Sequence, residues 1–403
     1  MHVAFVAPFL MEATLRFVDG AARLPGVTLS LISQDPPERV PAGLRARLAG
    51  HRQVADAFDA AALADATRSL ARDGAPVERL IGSLEQLQES LALARERLGL
   101  PGLPAAVARN FRDKARMKDI LRAAGVPCAR HRLAATSAAA QDFAAASGFP
   151  IVVKPPAGAG ATGTYRLDDA AALGRYLAAN PPAAAAPVLC EEFLSGAEHS
   201  FDSVAIDGRI VFWSVSRYLP SPLTVVQNPW IQWCVLLPRE LDGFDDIRRV
   251  GAAALGALGL STGMTHMEWF RRPDGSIAVS EVAARPPGAQ FTTLLSYAHD
   301  ADFYAAWPRL VIADRFVVPA RRWAVGAAYV RGHGSGRVRR VHGLDVAQRE
   351  LGALVVEARL PEPGTPQGAG YEGSGHVILR HHDTALVETA LRRLVSTIRV
   401  ELE

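Results

Sequence analysis

Over residues 1–105 short apolar runs alternate with amphipathic stretches. Val3–Ala7, Val27–Ile32 and Arg79–Gly82 read as strands, while the segments around Leu15, Ala60–Leu70 and Glu85–Leu98 carry apolar residues at helical spacing. That rhythm predicts βαβ units and a parallel sheet covered on both faces. Gly99 to Pro104 interrupts it and marks a boundary. Beyond it, Asp113–Ala124 reads as a helix stopped by Gly125 and Pro127. Pro150–Lys154 and Thr164–Leu167 are strands flanking a glycine-rich loop, a helix starts near Asp168, and Val188–Phe193 is another strand. Glu198–Ile206 and Arg209–Ser216 form a hairpin about Asp207-Gly208, and Asp245–Leu258 is a helix. Leu219 to Pro238, with four prolines and two tryptophans, reads as an irregular excursion or a broken strand pair, and long excursions inside a compact domain usually serve function. From about Val325 short strands lead to a last helix, Thr384–Ile398. No internal repeat is present.

The most informative segment is Thr265-His-Met-Glu-Trp-Phe-Arg-Arg272, then Pro273-Asp-Gly-Ser276, then Ile277-Ala-Val-Ser-Glu-Val-Ala-Ala-Arg285. Asp-Gly between two apolar runs signals a two-residue hairpin turn. A turn centred on Asp274 and Gly275 sets Glu268 directly opposite Glu281. Like charges placed opposite each other destabilise a sheet, so the pair calls for a counter-ion. A hard divalent cation bound by carboxylate oxygens is the simplest, and Mg²⁺ in turn implies phosphates. Strand alternation puts His266, Glu268, Glu281 and Arg285 on one face. A solvated hairpin with scattered charge is the plain alternative, and the Met, Trp, Phe, Ile and Val of both strands argue against it.

Bulk properties narrow the classes. The 403 residues suffice for two or three domains, and 49% hydrophobic with 21% charged residues is ordinary for a globular chain. A net charge of +3 with interspersed signs gives no argument for a polyanionic partner. Three widely spaced cysteines, Cys128, Cys190 and Cys234, suggest free thiols in a reducing compartment. The apolar start lacks a basic n-region, and no apolar run is long enough to span a membrane. The expectation is a cytoplasmic protein with no nucleic-acid or membrane partner.

Three further motifs carry chemistry. Gly158-Ala-Gly-Ala-Thr-Gly163 fits the dinucleotide fingerprint, but Lys154-Pro-Pro precedes it and a strand pattern follows, where the fingerprint requires a helix. A strand–glycine loop–strand unit reads instead as a flap whose N–H groups close over phosphates, or as a plain hairpin loop. Lys154 ends an apolar strand, where a lysine either snorkels or meets an anion. Lys114 sits in the first turn of its helix, an unfavourable place for a cation, which suggests a ligand or a nearby acid. Cys190-Glu-Glu-Phe-Leu194 reads either as an exposed acidic strand end or as a strand end flanked by apolar side chains and suited to a purine ring, with Glu198 placed for ribose hydroxyls.

Taken in order, Arg112-Asp-Lys with Ala-Gly-Val-Pro, Val-Val-Lys-Pro with the glycine loop, Glu-Glu-Phe-Leu with Glu198, Glu268, and Ser-Glu-Val-Ala-Ala-Arg-Pro-Pro-Gly resemble the ATP-grasp superfamily. The resemblance covers residues 105–310 closely. It implies an α/β (α+β) ATP-grasp fold. An N-terminal Rossmann-like domain would span 1–105, a small lid subdomain 106–190, and a large subdomain 191–403 with a small α+β extension from about 325. It implies that Lys114 and Lys154 contact nucleotide phosphates and that 158–164 form the lid, with Gly158, Gly160, Thr162 and Gly163. Glu191, Phe193 and Leu194 would line the adenine pocket and Glu198 would hold the ribose. Glu268 and Glu281 would bind Mg²⁺, with Mn²⁺ as an option, and Arg285 would meet the γ-phosphate or an acyl-phosphate. The family often has Asn two residues after the second metal glutamate; here that residue is Ala283, which leaves one or two metal ions open. Thr265-His-Met-Glu268 is similar to the Thr-His-x-Glu of the amino-acid ligases, and His266 would then lie beside the acyl-phosphate or serve as a core histidine.

The implied activity is an ATP-dependent carboxylate–amine ligase forming an amide through an acyl-phosphate. Its partners would be a small-molecule carboxylate, most naturally an amino acid, and an amine, with a homodimer as one assembly. A nucleotide-binding protein without ligase activity is the alternative. Arg217, Tyr218, Trp230 and Trp233 of the excursion are candidates for the substrate pocket or for packing, and His333 to Arg337 for a cap on the acyl site.

Overall fold

In a computed structural model of the chain, residues 1–403 are described except 72–74, 159, 161, 229, 230, 369 and 371. Trp230 therefore lies outside the described residues, as do two positions of the glycine loop.

The N-terminal strands β1 (His2–Val6), β2 (Thr28–Ser33), β3 (Gly50–Gln53) and β4 (Arg79–Ile81) form a parallel sheet in the order β3-β2-β1-β4. All five residues of β1 are buried, as expected for a parallel strand covered on both faces. The second sheet holds β5 (His131–Ala134), β6 (Ile151–Lys154), β7 (Tyr165–Leu167) and β8 (Val188–Glu192) in the order β5-β8-β6-β7, all antiparallel. Helices Ser137–Ser147 and Ala170–Ala179 lay Phe143, Leu173 and Leu177 on Ile151 and Val153. The strand β7, not a helix, follows the glycine loop, which removes the dinucleotide-fingerprint alternative.

The largest sheet has eight strands. In chain order they are β9 (Ala197–Ile206), β10 (Arg209–Leu219), β11 (Trp233–Leu237), β12 (Gly263–Arg271), β13 (Ile277–Ala283) and β14 (Ala324–Val330). After β15 (Val338–His342) come β16 (Val355–Arg359) and β17 (Gly375–His381). The spatial order is β13-β12-β9-β10-β11-β14-β17-β16, while β15 pairs with β18 (Arg399–Leu402) in a separate two-stranded sheet. The C-terminal segment thus extends the same sheet rather than standing apart. Helix Asp245–Leu258 covers one face, closing a core of Phe201, Met267, Trp269 and Val279 that also takes in Phe111, Met117 and Leu121. Helices Phe291–His299 and Phe303–Ala313 cover the other face and carry the packing over to Phe5 and Phe17 of the parallel-sheet unit. The excursion 219–238 is more ordered than its prolines suggest: Ser221 caps a helix, Pro222–Gln227, and β11 then rejoins β10.

The hairpin reaches its predicted pairing by an unpredicted route. Glu268 stands opposite Glu281. Yet the chain turns through three residues, Pro273 to Gly275, not two: Arg272 N–H donates to Ser276 O at 2.8 Å, Gly275 N–H to Arg272 O at 2.9 Å, and Gly275 has φ +83°. A three-residue loop ending in a left-handed residue slips the register by one position. Trp269 accordingly pairs with Val279, and a bulge at Ser280 restores the offset before Glu281. Without that bulge Ser280 would face Glu268, and Glu281 would point into the opposite core.

Candidate active site

A cavity of about 350 Å³ opens between the small antiparallel sheet and the face of β9, β10, β12 and β13. It is lined by Lys114, Lys154, Gly158, Gly160, Thr162, Glu191, Phe193, Leu194, Glu198, His266, Glu268, Glu281 and Arg285, so of the nucleotide, metal and catalytic candidates named from the sequence all but Gly163 line it. Gly163 instead turns the loop at φ +69°, where a β-carbon would come within 3.2 Å of the Pro155 ring.

Asp113 caps helix Lys114–Ala123 by accepting from Ala115 N–H and Arg116 N–H at 3.0 and 3.1 Å, which sets Lys114 at the first helical position. The acid that its unfavourable position called for is Glu281: Lys114 Nζ donates to Glu281 Oε1 at 2.6 Å and to the Gly158 carbonyl at 3.0 Å. One ammonium thus joins the helix, the glycine loop and the second hairpin glutamate. Burial pushes the Glu281 carboxyl up, but Lys114 and then Lys154 outweigh it and bring it to about 2. Glu268 moves the other way. Burial, with the Glu281 charge behind it, raises its carboxyl above the usual value, although a third of the side chain stays open to the cavity. Two facing carboxylates with opposite displacements show that the surrounding cations favour one of them. Glu198 is raised further, by burial and by Glu268.

The second lysine is anchored through Glu191, whose carboxylate takes Lys154 Nζ at 3.0 Å and Lys118 Nζ at 3.2 Å. Lys118 is fully buried, donates also to the Ser280 carbonyl, and so pins the bulge that orients Glu281. Glu191 was expected to line a purine pocket. Its side chain is committed to this triad, so only its backbone is left for a base, beside Phe193, whose ring carries the Arg166 guanidinium at 4.4 Å. Arg285 is likewise held: Nε and Nη2 donate to Glu85 Oε2 at 3.0 and 2.6 Å, while Arg112 binds the other oxygen of Glu85 at 2.7 Å.

His266 lies across the β9–β12 ladder from Asp202 and shares a 2.6 Å hydrogen bond with it through Nδ1. Its Nε2 lies 3.4 Å from the Tyr218 hydroxyl and 3.8 Å from Glu268. Burial pulls the imidazole pKa down, but Asp202 outweighs it and leaves the group above its ordinary value. Asp202 is itself fully buried and accepts from Ser200, which is bonded to Ser216. Of the excursion residues, Tyr218 and Trp233 line the cavity, whereas Arg217 is not among the lining residues and lies 3.7 Å from Glu388. The stretch from His333 to Arg337 does not line it either.

Sequence reasoning passed over Glu85, Lys118 and Asp202. Lys118 had a signal, lying one helical turn after Lys114 on the same face. Glu85 follows the carboxyl end of a parallel strand, a usual place for ligand-facing residues. Asp202 had none, because its partner is 64 residues away.

Residues 113–208 match the family described as carbamoyl-phosphate synthase L chain, ATP binding domain. The chain is 28% identical over 313 residues to the uncharacterized protein y4rH of Sinorhizobium fredii, covering 74% of this chain and 63% of that one. It is 24% identical over 233 residues to the L-arginine-specific L-amino acid ligase of Bacillus subtilis, covering 55% and 54%. It therefore spans between half and two thirds of the length of these curated relatives. Among solved structures, L-amino acid ligase from Bacillus licheniformis superposes with a TM-score of 0.77 at 20% identity, over 100% of this chain and 98% of that one.

Proposed function

We propose that this chain, an ATP-grasp protein by its fold and by its nucleotide-binding segment, is an ATP-dependent carboxylate–amine ligase. The observation that carries the reading is the convergence of Lys114, Lys154, Glu268, Glu281 and Arg285 on one cavity, with Lys114 bound to Glu281. In this reading an oxygen of the substrate carboxylate attacks the γ-phosphorus of ATP, the bond to the β-phosphate oxygen breaks, and ADP leaves. The amine nitrogen then attacks the acyl carbon, inorganic phosphate departs, and the nitrogen gives up a proton as the amide forms. Amino acids are the carboxylate class that the relatives' names suggest.

Lys114 and Lys154 would neutralise charge on the phosphates, and Arg285 would hold the planar or phosphorylated carboxylate in a bidentate grip. The loop 158–164 would exclude water that otherwise hydrolyses the acyl-phosphate. Two carboxylates suit Mg²⁺, a hard cation that completes its shell with phosphate oxygens and water. No group of three or more His, Cys, Asp or Glu among the described residues is arranged to hold a metal ion, and Ala283 adds no donor, so a site completed by nucleotide fits the residues present. Such an ion would supply charge neutralisation at the transferred phosphoryl group. Because each lysine already has a carboxylate partner, phosphate would enter by exchange: Lys114 would turn to phosphate, and Glu281, so released, would be one of the two carboxylates able to hold a cation. The division at about residues 105 and 190, and a reducing cytoplasm for a chain with three free thiols, belong to the same reading.

The test is ADP and phosphate release by the purified protein with ATP, Mg²⁺ and a panel of amino-acid pairs. Release that needs both a carboxylate and an amine, and that falls at least about a hundredfold in Glu281→Gln, is expected. The buried methyl of Ala283, directly opposite His266, is what favours a nucleotide-binding protein without ligation. ATP binding with no carboxylate-dependent turnover would establish that alternative.

A further inference from the structure

The cavity is divided by charge. Six glutamates line it. Glu85, Glu191, Glu192 and Glu281 are each held by an arginine or a lysine, while Glu198 and Glu268 lie within the field of Lys154. A second part of the lining, Tyr218, Pro222, Leu223, Trp233, Ala289 and Phe291, has no acidic or basic side chain of its own and meets the charged part at His266, whose ring lies 5.2 Å from that of Phe291. Tyr218, Trp233 and Phe291 form an aromatic box with ring centroids 5.5, 5.9 and 6.3 Å apart. Trp233 is backed by Tyr329 at 4.8 Å, and Tyr329 donates its hydroxyl to the Ala289 carbonyl. The box is therefore braced from behind.

The fourth wall is the short helix Pro222–Gln227, which presents half-buried Leu223 to the cavity. It is fixed at both ends. Ser221 accepts from Thr224 N–H at 3.3 Å, and the buried Arg331 donates to the Val225 carbonyl at 3.0 Å. A wall held this way selects by shape, because little entropy is lost when a ligand meets it.

From this we infer that the carboxylate substrate carries an uncharged, apolar side chain, seated between Leu223 and the Tyr218–Trp233–Phe291 box. The inference rests on the ligase reading and adds the substrate class. A lysine, arginine or glutamate side chain would bring a charge against walls whose own side chains are uncharged, and such burial is costly. An aromatic box can also attract a cation, so cationic side chains form the decisive comparison.

The experiment uses the full chain with ATP, Mg²⁺ and hydroxylamine, which traps the acyl-phosphate as a hydroxamate and reads carboxylate choice apart from the natural amine. Leucine, methionine and phenylalanine are compared with glutamate, lysine and arginine. The expected result is kcat/KM higher for the apolar set by on the order of a hundredfold. Leu223→Glu should raise lysine and arginine relative to leucine by about tenfold or more. Should that variant not fold, Leu223→Ala should raise KM for leucine more than for phenylalanine, which still fills the enlarged site. Preference for a charged side chain by the unmodified chain overturns the inference and leaves the ligase reading standing. No hydroxamate from any carboxylate, in protein that binds ATP, overturns both.

Discussion

Single residues in and behind the cavity do different jobs, and the cost of changing them differs accordingly. Lys118 does not line the cavity, yet it holds Glu191 and the Ser280 carbonyl from a fully buried position. Lys118→Met leaves Glu191 with Lys154 alone. Removing one partner of a buried pair typically costs about 3–5 kcal/mol, so a lowered urea midpoint is expected together with weakened ATP turnover. Lys154→Met should instead reduce turnover by at least about a hundredfold, as loss of a charge aimed at the transferred group. The pH response separates them further. Burial pushes the Glu191 carboxyl up, but Lys118 and then Lys154 outweigh it and hold it below the usual carboxylate range. A depressed folded pKa gives stability that is complete above the unfolded value, about 4.3, and is lost as pH falls through the folded one. Lys118→Met relieves part of that depression. Its acid-unfolding midpoint, followed by circular dichroism, should therefore move to higher pH; an unchanged midpoint would show that Lys154 alone sets Glu191.

The elements show how far pattern reading reaches. Helix Asp245–Leu258, the strands around the glycine loop and the β9–β10 hairpin fall where periodicity, caps and Asp-Gly turns put them. The pairing of Glu268 with Glu281 was also legible, though two compensating irregularities produce it. Asp-Gly signals a turn without saying whether two or three residues make it, and nothing local in Val-Ser-Glu announces a bulge, because Ser280 is pinned by a lysine from another element. The short helix Pro222–Gln227 was hidden by the prolines around it, one of which serves at its first turn. Two glycines allow a comparison. Gly275 has φ +83° with open space where a β-carbon would stand, so Gly275→Ala should cost only the conformational strain, roughly 1 kcal/mol. Gly196, at φ +128°, precedes β9, and a β-carbon there would lie 2.1 Å from the Arg271 carbonyl oxygen. Gly196→Ala should therefore destabilise several-fold more than Gly275→Ala, and chemical denaturation of the two variants side by side measures the difference.

At the scale of the molecule, one carboxylate joins three stretches of chain. Glu85 comes from the parallel-sheet unit, is 5% exposed, and grips Arg112 ahead of the lysine helix and Arg285 after β13. Such contacts join residues as many as 200 positions apart, and for that reason the sequence displayed the ligand-facing groups but not what holds them. Glu85→Ala removes the carboxylate that two guanidinium groups share. Calorimetry should then show the parallel-sheet unit melting ahead of the eight-stranded sheet, where the parent melts more nearly as one; a single unshifted transition would refute the clamp. The same dependence bears on the hairpin. Its two glutamates look like a self-contained cassette, Gly263 to Ala283, convenient to lift into another scaffold. They are not portable. The offset that turns Glu281 toward Glu268 is secured by Lys118, and Glu281 itself by Lys114, both from helix Lys114–Ala123. A protein engineer who transplants the hairpin alone should obtain a slipped strand with one carboxylate facing the wrong way, and the smallest graft that keeps both in register is hairpin and helix together.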